Sequence, residues 1–150
     1  MNDDFLKTWF AGFNSGMDKM DAKNRSILLS ECGKACSDSF SRQVYVEEYG
    51  KSNNFDDFLE RIKAGIPGLD IEKQEDGSIE VIYRQCFCGL VMSGLVDSPA
   101  FCECSRQSLQ YNWEAIFGEG NVEVTILQSI LEGKDSCRLL VRLDRSFDCD

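Results

Sequence analysis

The chain has 150 residues, of which 43% are hydrophobic, and its formal net charge is −10. This length and this apolar fraction suit one globular domain with a continuous core, so a single domain is expected over residues 1–150. A strongly acidic chain repels the phosphate backbone, which disfavours nucleic acid as a partner. No apolar run approaches the roughly 20 residues that span a bilayer, and the first ten residues lack the basic-then-apolar order of a secretory signal. We therefore expect a cytoplasmic protein without a membrane segment.

The N-terminal part of the chain, residues 1–66, is expected to be mainly helical. Apolar residues that recur every three or four positions form one stripe on a helix, and Asn, Ser and Gly end helices well. In the second helix, the stripe expected to face the core is Leu28, Cys32, Cys36 and Phe40. Three helices are expected: one that carries apolar residues 5–13 and ends at residues 14–16, one over about residues 17–40, and one that begins near Asn54 and closes at the sequence AGIPG.

Residues 67–143 are expected to form a hairpin, a helix and a second hairpin, and residues 144–150 a loose tail. The helix should begin with Ser105 as its N-cap and bury a stripe that includes Trp113 and Phe117. The chain is therefore predicted to be an α+β protein, with helices packed on an antiparallel sheet. The expected strands are residues 69–73 and 78–84, then 121–131 and 136–143.

Eight cysteines in a chain without histidine are the most informative feature of the sequence. In a cytosol thiols stay reduced, so clustered cysteines indicate metal or redox chemistry more often than disulfides. A soft divalent metal takes about four thiolates, which short-range pairs of cysteines can supply. The sequence predicts zinc or an iron–sulfur cluster and does not separate the two. The expected ligands are Cys86, Cys88, Cys102 and Cys104, joined by the helical pair Cys32 and Cys36.

Each cysteine has a packing alternative, because reduced cysteine is often buried as a small hydrophobe. For Cys32 and Cys36 the sequence leaves core packing and ligation open, and for Cys137 it favours the core. Cys149 lies in the charged tail and is expected to be a free thiol.

Cys102 and Cys104 are also the candidate nucleophiles. A helix N-terminus lowers a thiol pKa, and Arg106 adds positive charge nearby. Because the chain has no histidine, Ser-His-Asp and Cys-His arrangements are excluded, and the base of such an enzyme would be a carboxylate, a lysine or water. A further alternative is a thiol redox switch, in which pairs such as Cys32 and Cys36 close disulfides on oxidation.

Four segments of the chain resemble a family of cysteine-rich bacterial proteins related to the 4-vinyl reductase domain: CGKAC, CFCGLV, FCECSRQSLQYNWEAIFG and VEVTILQSILEGKDSCRLLVRL. The resemblance to that family covers most of the chain from Cys32 onward, and the resemblance to the wider domain covers about residues 109–143. It implies an α+β domain whose helices and antiparallel sheet enclose a pocket for a small, often apolar ligand, with Cys137 facing inward. The terminal hairpin is also similar to the L-2-amino-thiazoline-4-carboxylic acid hydrolase family.

The favoured function is a metal-binding module that binds or senses a small apolar or aromatic molecule. The alternatives are a thiol-dependent hydrolase of small heterocyclic or amide substrates and a thiol redox switch. Neither nucleic acid nor a membrane is expected as a partner, and a homo-oligomer is compatible with the sequence. The residues expected to wall the ligand pocket are Tyr83, Phe87, Trp113, Phe117 and Cys137.

Overall fold

A computed structural model of the protein describes residues 3–144. Most of the tail, including Cys149, lies outside the described residues. The described helices are α1 (Asp3–Lys19), α2 (Ala22–Ser39), α3 (Ser41–Lys51), α4 (Phe55–Gly65), α5 (Gly89–Met92) and α6 (Cys102–Phe117). The described strands are β1 (Leu69–Lys73), β2 (Ile79–Tyr83), β3 (Val122–Gln128) and β4 (Cys137–Leu143), and short 3-10 turns precede α6 and β4.

The first helix, α1, is longer than the sequence predicts, because it continues through residues 14–16. The side-chain amide of Asn14 donates a hydrogen bond to the carbonyl oxygen of Leu95, 2.8 Å away. An asparagine ends a helix by bonding to its own backbone, and this tertiary contact takes that side chain away from the backbone. The predicted helix end at residues 14–16 is therefore wrong.

The helix predicted over residues 17–40 is divided, because a new helix begins after Asp21. The carboxylate of Asp21 accepts the backbone N–H of Asn24 at 2.9 Å and so caps α2. At the other end, α3 follows α2 directly through Phe40, in a segment for which the sequence predicts no separate helix.

The buried face of α2 differs by one position from the predicted stripe. Its buried residues are Leu29, Gly33 and Ser37, whereas Leu28 is 40% exposed and Phe40 is 54% exposed. A shift of one residue turns a helix by about 100°, so the expected stripe lies on the flank of α2 and not against the core.

The remaining elements confirm the prediction of an α+β fold. The side chain of Asn54 caps α4 by accepting the backbone N–H of Asp57 at 2.8 Å. Both hairpins form, and together they give one antiparallel sheet with the strand order β1-β2-β4-β3. The N-terminal helices are thus followed by hairpin, helix and hairpin, as the sequence predicts.

The larger hydrophobic cluster joins one face of the sheet to helices α3, α4 and α6. Phe58 and Trp113 are fully buried in it, and their rings meet edge to face at 5.7 Å. On the sheet side, alternate residues of each strand face the helices. The sheet residues of this cluster are Leu69, Ile79, Val81, Val122, Val124, Leu139 and Val141.

A smaller hydrophobic cluster lies where α1, α2 and the segment before α6 meet. Its buried members are Met17, Leu29, Val96 and Phe101, and partly buried Cys88 and Cys104 pack against it. None of the helices in residues 3–144 is long and apolar enough to cross a membrane.

Candidate thiol site

Helices α2 and α6 approach most closely at Gly33. A Cβ atom added to Gly33 would lie 2.8 Å from the carbonyl oxygen of Cys104 and 2.9 Å from the backbone nitrogen of Ser108. Glycine permits so close an approach because it has no side chain between the two backbones. Since Cys32 and Cys36 lie within one helical turn of Gly33, this crossing brings them beside the start of α6.

Polar contacts fix the relative position of the two helices. The hydroxyl of Ser37 donates to the carbonyl oxygen of Ser108 at 3.0 Å, and the two hydroxyl oxygens are 2.6 Å apart. One turn earlier in α6, the carboxylate of Glu103 accepts hydrogen bonds from Ser26 of α2 at 3.2 Å and from Arg106 at 2.6 Å. Burial raises the pKa of Glu103, but these donors lower it by more, so the carboxylate stays ionised.

The thiols come together from three parts of the chain. Cys32 and Cys36 are exposed on α2, whereas the thiols of the two Cys-x-Cys pairs are partly buried at the start of α6 and in the segment before α5. Cys137, at the first position of β4, is also partly buried, and it packs against the larger hydrophobic cluster. The exposure of Cys32 and Cys36 favours an accessible thiol pair over the core packing that the sequence leaves open.

The start of α6 does not activate its thiols. Burial raises the pKa of Cys104 to about 12, and the thiolates of Cys36, Cys32 and Cys88 add to the increase by charge repulsion. Burial likewise raises the pKa of Cys102. The prediction of lowered thiol pKa values is therefore wrong, because burial and neighbouring thiolates outweigh the dipole of the helix.

Two further details explain why the N-terminal environment differs from the prediction. Helix α6 begins at Cys102 with Phe101 in the N-cap position, so Ser105 lies inside the helix and is not its cap. The guanidinium of Arg106 is turned to the carboxylate of Glu103, which it contacts through two nitrogens. The positive charge expected beside the thiols is thus already paired.

Cys102 has different neighbours from those of Cys104. After burial, the pKa of Cys102 is affected by a hydrogen bond with the Ser129 side chain and by the charges of Cys137 and Cys86. The pKa of Cys137 is raised, first by burial and then by the charge of Cys86 among others. Its sulfur accepts the backbone N–H of Ile130 at 3.4 Å.

Within residues 3–144, no three cysteine, aspartate or glutamate side chains have their donor atoms grouped closely enough to hold a metal ion. The predicted ligands among these residues therefore do not form a coordination sphere. Tetrahedral ligation would require some thiols to turn about their side-chain bonds.

The residues predicted to wall a ligand pocket lie in two places. Trp113 and Phe117 stack at 5.7 Å inside the larger cluster, against which Tyr83 and Cys137 are packed. Phe87, in contrast, is 47% exposed and covers Gly68. It lines a surface depression of about 370 Å³ whose other walls are Lys63, Leu69, Asp70, Arg84 and Gln85.

Polar atoms in the larger cluster lack hydrogen bonds. The hydroxyl of Tyr45 and the indole nitrogen of Trp113 are buried and close enough to interact with each other, but neither has a hydrogen bond of good geometry, and the buried amide oxygen of Asn112 has none either. Burial raises the pKa of Tyr45 well above its usual value. Tyr83 lies opposite Cys137 on the neighbouring strand, and its pKa is raised to about 12, first by burial and then by the charges of Cys137 and Cys36.

The residues that set the helix crossing were not predicted from the sequence; they are Gly33, Ser37 and Ser108. A signal for them exists, because Gly33 and Ser37 are small residues four positions apart and therefore lie on one helix face. If the face with Gly33 and Ser37 packs on another helix, Cys32 and Cys36 lie on the side of α2 next to that face.

No family model and no curated protein matches this chain. The resemblance to the 4-vinyl reductase domain and to the thiazoline hydrolase family accordingly stays a prediction.

Solved structures with a similar fold do exist. A trafficking protein particle complex subunit 3 from Naegleria fowleri, covalently bound to palmitic acid, is 16% identical, covers 95% of both chains and superposes with a TM-score of 0.52. An H-NOX protein from S. oneidensis is 14% identical over 79% of this chain and 65% of its own, with a TM-score of 0.49. The first of these similarities shows that this chain shares an α+β fold with that subunit. At 16% identity it shows the fold alone and not the function.

Proposed function

We propose that this protein is a cytoplasmic metal-binding module, which holds zinc or an iron–sulfur cluster between thiols of α2, the start of α6 and the segment before α5. The observation that carries the proposal is the packing of Cys88 and Cys104 on one hydrophobic cluster, beside the crossing of α2 that carries Cys32 and Cys36. Four other cysteines act on the pKa of Cys104, and each of them makes ionisation less favourable. A bound cation reverses this repulsion, because it attracts every thiolate at once.

A thiol-dependent hydrolase is the weaker proposal. A nucleophilic cysteine needs a thiolate near neutral pH, which a nearby cation or a basic residue provides. The charged groups that act on Cys102 are the thiolates of Cys137 and Cys86 and the carboxylate of Glu132, all of which raise its pKa. Its environment thus favours the protonated thiol.

A small apolar ligand is the second function that we propose for the same domain. The Tyr45 hydroxyl and the Trp113 indole N–H support it, because they are buried with no hydrogen bond of good geometry, even to each other, and such polar atoms are costly in an apolar core. A protein of similar fold, the subunit from Naegleria fowleri, carries palmitic acid. We therefore propose a ligand with an apolar body and one polar group that accepts hydrogen bonds from Tyr45 and Trp113.

The experiment that tests the metal site is metal analysis of protein purified without oxygen, together with its absorption spectrum. About one equivalent of zinc in a colourless protein, or iron with a visible absorption band, is expected. Less than about a tenth of an equivalent of any metal, with all thiols still reduced, would contradict the metal site. If Cys32 and Cys36 are instead recovered as a disulfide by mass spectrometry, the redox switch becomes the better proposal.

The ligand is tested by thermal unfolding with palmitate and with aromatic acids. Binding to the folded state raises the melting temperature by mass action. Tyr45→Phe removes one proposed donor and should reduce the shift, while Tyr49→Phe, on the same helix but 40% exposed, serves as the control. An equal shift in both variants would contradict the assignment of Tyr45.

A further inference from the structure

We infer that the metal ligands are Cys32, Cys36, Cys88 and Cys104, so that each Cys-x-Cys pair supplies one ligand and not two. Cys86 and Cys102, the other members of those pairs, lie on the opposite side, toward Cys137. This inference rests on the proposed metal-binding function and specifies its ligand set, which differs from the set that the sequence predicts.

Helix geometry separates the second pair. Cys102 and Cys104 both belong to α6, and two positions along an α-helix correspond to a rotation of about 200°. Side chains two residues apart on a helix do not face each other. One of these two thiols can therefore serve a site beside α2, but both cannot.

The contacts of α6 show which of the two faces α2. The backbone carbonyl of Cys104 is the nearest atom to the position of a Gly33 side chain, and its thiol packs on the smaller hydrophobic cluster together with Cys88. Cys137 belongs to the larger cluster, where its sulfur accepts the N–H of Ile130. Cys104 is thus on the α2 side.

The electrostatic neighbours divide the thiols in the same way. The charges of Cys36, Cys32 and Cys88 act on Cys104 more strongly than the charge of Cys102 does, and the charge of Cys88 acts on Cys36. The charge of Cys86 acts on both Cys102 and Cys137. The first Cys-x-Cys pair is therefore divided like the second, with Cys88 on the α2 side and Cys86 on the β4 side.

The positions of the four thiols on the α2 side leave room for local movement toward a metal ion. Cys32 and Cys36 are exposed, so their side chains can rotate without disturbing the core. Cys88 precedes the four-residue helix α5 in a segment without regular structure, and Cys104 is held by α6. Four thiolates from two helices and a loop match the composition of a closed tetrahedral site, which suits zinc and the tetrahedral cobalt(II) ion used to probe it.

Single substitutions test this division, with cobalt(II) titrated into reduced, metal-free protein. Cys88→Ser and Cys104→Ser should each lower the affinity for cobalt by at least about 10- to 100-fold, which is the loss expected even when a residue that only supports a metal ligand is replaced. The thiolate-to-cobalt absorption band should also weaken. The matched controls are Cys86→Ser and Cys102→Ser, each two positions from a ligand in the same motif. Both controls should keep the affinity and the absorption band of the unchanged protein.

A second measurement uses the unchanged protein, so it does not depend on a variant folding. Brief alkylation with iodoacetamide, followed by mass spectrometry, should show that bound zinc protects Cys32, Cys36 and Cys88, whereas Cys104, which burial keeps protonated, should react slowly with and without zinc. Cys86, Cys102 and Cys137 should react at the same rate with and without zinc.

The outcomes separate this inference from the function on which it rests. Loss of binding in the Cys86 and Cys102 variants, or zinc protection of those two thiols, overturns the ligand set while the protein still binds metal. Absence of any cobalt or zinc binding by the unchanged protein overturns both. Loss of metal binding only in the Cys88 and Cys104 variants supports both the ligand set and the metal-binding function.

Discussion

The two hydrophobic clusters differ in size and in what they position. The larger one buries fourteen residues between the sheet and three helices, and aromatic rings fill its centre. The smaller one buries four residues, and it supports Cys88 and Cys104. The thiol region thus lies on the part of the fold with the least apolar burial, where a bound metal can contribute most to order because metal binding is linked to folding.

The fold and the candidate site are thus stabilised by different sets of contacts. The larger cluster explains why the hairpins and α6 assemble, whereas the smaller one depends on the close contact at Gly33 and on a few hydrogen bonds of α2 with α6. Changes in the first should affect global stability. Changes in the second should affect the thiol geometry at a lower cost in stability.

The largest expected effect comes from truncating the larger cluster. Phe58 is fully buried and contacts the rings of Tyr45, Trp113 and Phe117, so Phe58→Ala should lower the free energy of unfolding by about 3–5 kcal/mol. The matched variant in the smaller cluster is Phe101→Ala. It should cost less, because Phe101 keeps 7% exposure and fewer buried side chains surround the cavity that it leaves.

Urea unfolding with a chelator present would measure both variants without a contribution from metal. Equal losses in the two variants would show that the clusters support the fold equally, and the comparison would then be wrong.

A smaller effect is expected at the helix crossing. Gly33→Ala places a methyl group within 3.0 Å of backbone atoms of α6, so the helices must move apart, at a cost of about 1–3 kcal/mol. Gly12→Ala in α1 is the matched control, because nothing lies within 4 Å of its added Cβ, and it should stabilise the helix by about 0.5–1 kcal/mol.

Thermal or urea unfolding gives the stability of both glycine variants, and cobalt titration gives their metal affinity. Gly33→Ala should also weaken cobalt binding, since it moves Cys104 away from α2. If Gly33→Ala keeps both stability and affinity, the crossing does not position the thiols.

How well each element of the fold could be predicted from the sequence depends on whether its signal is local. Elements with a clear local signal were predictable: Asn54 caps α4, and both hairpins alternate apolar and polar residues. The end of α1 was not, because Asn14 bonds to Leu95, which is 81 positions away in the chain. Local rules describe what a residue does to its own backbone and contain no information about such a distant partner.

The candidate site was predictable only in part, for a geometric reason. The sequence identifies the thiols but not their directions, since spacing alone treats a Cys-x-Cys pair as one unit. The pair at Cys102 and Cys104 lies in a helix, and the N-cap of that helix was predicted four residues too late, at Ser105 and not at Phe101. A correct helix start at Cys102 would have shown from the sequence that the two thiols diverge.

The smallest effect that we expect is the change in stability at alkaline pH that comes from a single thiol of the α2 side, Cys104. Burial and neighbouring thiolates raise the pKa of Cys104 from the ordinary 9.0 to about 12 in the folded state. Between these values the unfolded chain loses the proton and the folded chain keeps it, so stability from this group is complete below about pH 9 and falls as pH rises toward 12.

Cys104→Ser removes that titration and should therefore lose less stability than the unchanged protein as the pH rises through the ordinary thiol pKa of 9.0. Urea unfolding with chelator and reductant measures the difference, and the exposed neighbour variant Ser105→Ala should follow the unchanged protein. Because zinc ligation keeps the thiolate in the folded state, added zinc should abolish this part of the alkaline loss. An identical pH dependence in the Cys104 variant and the unchanged protein would show that burial and the neighbouring thiolates do not raise the pKa of Cys104 in the folded state.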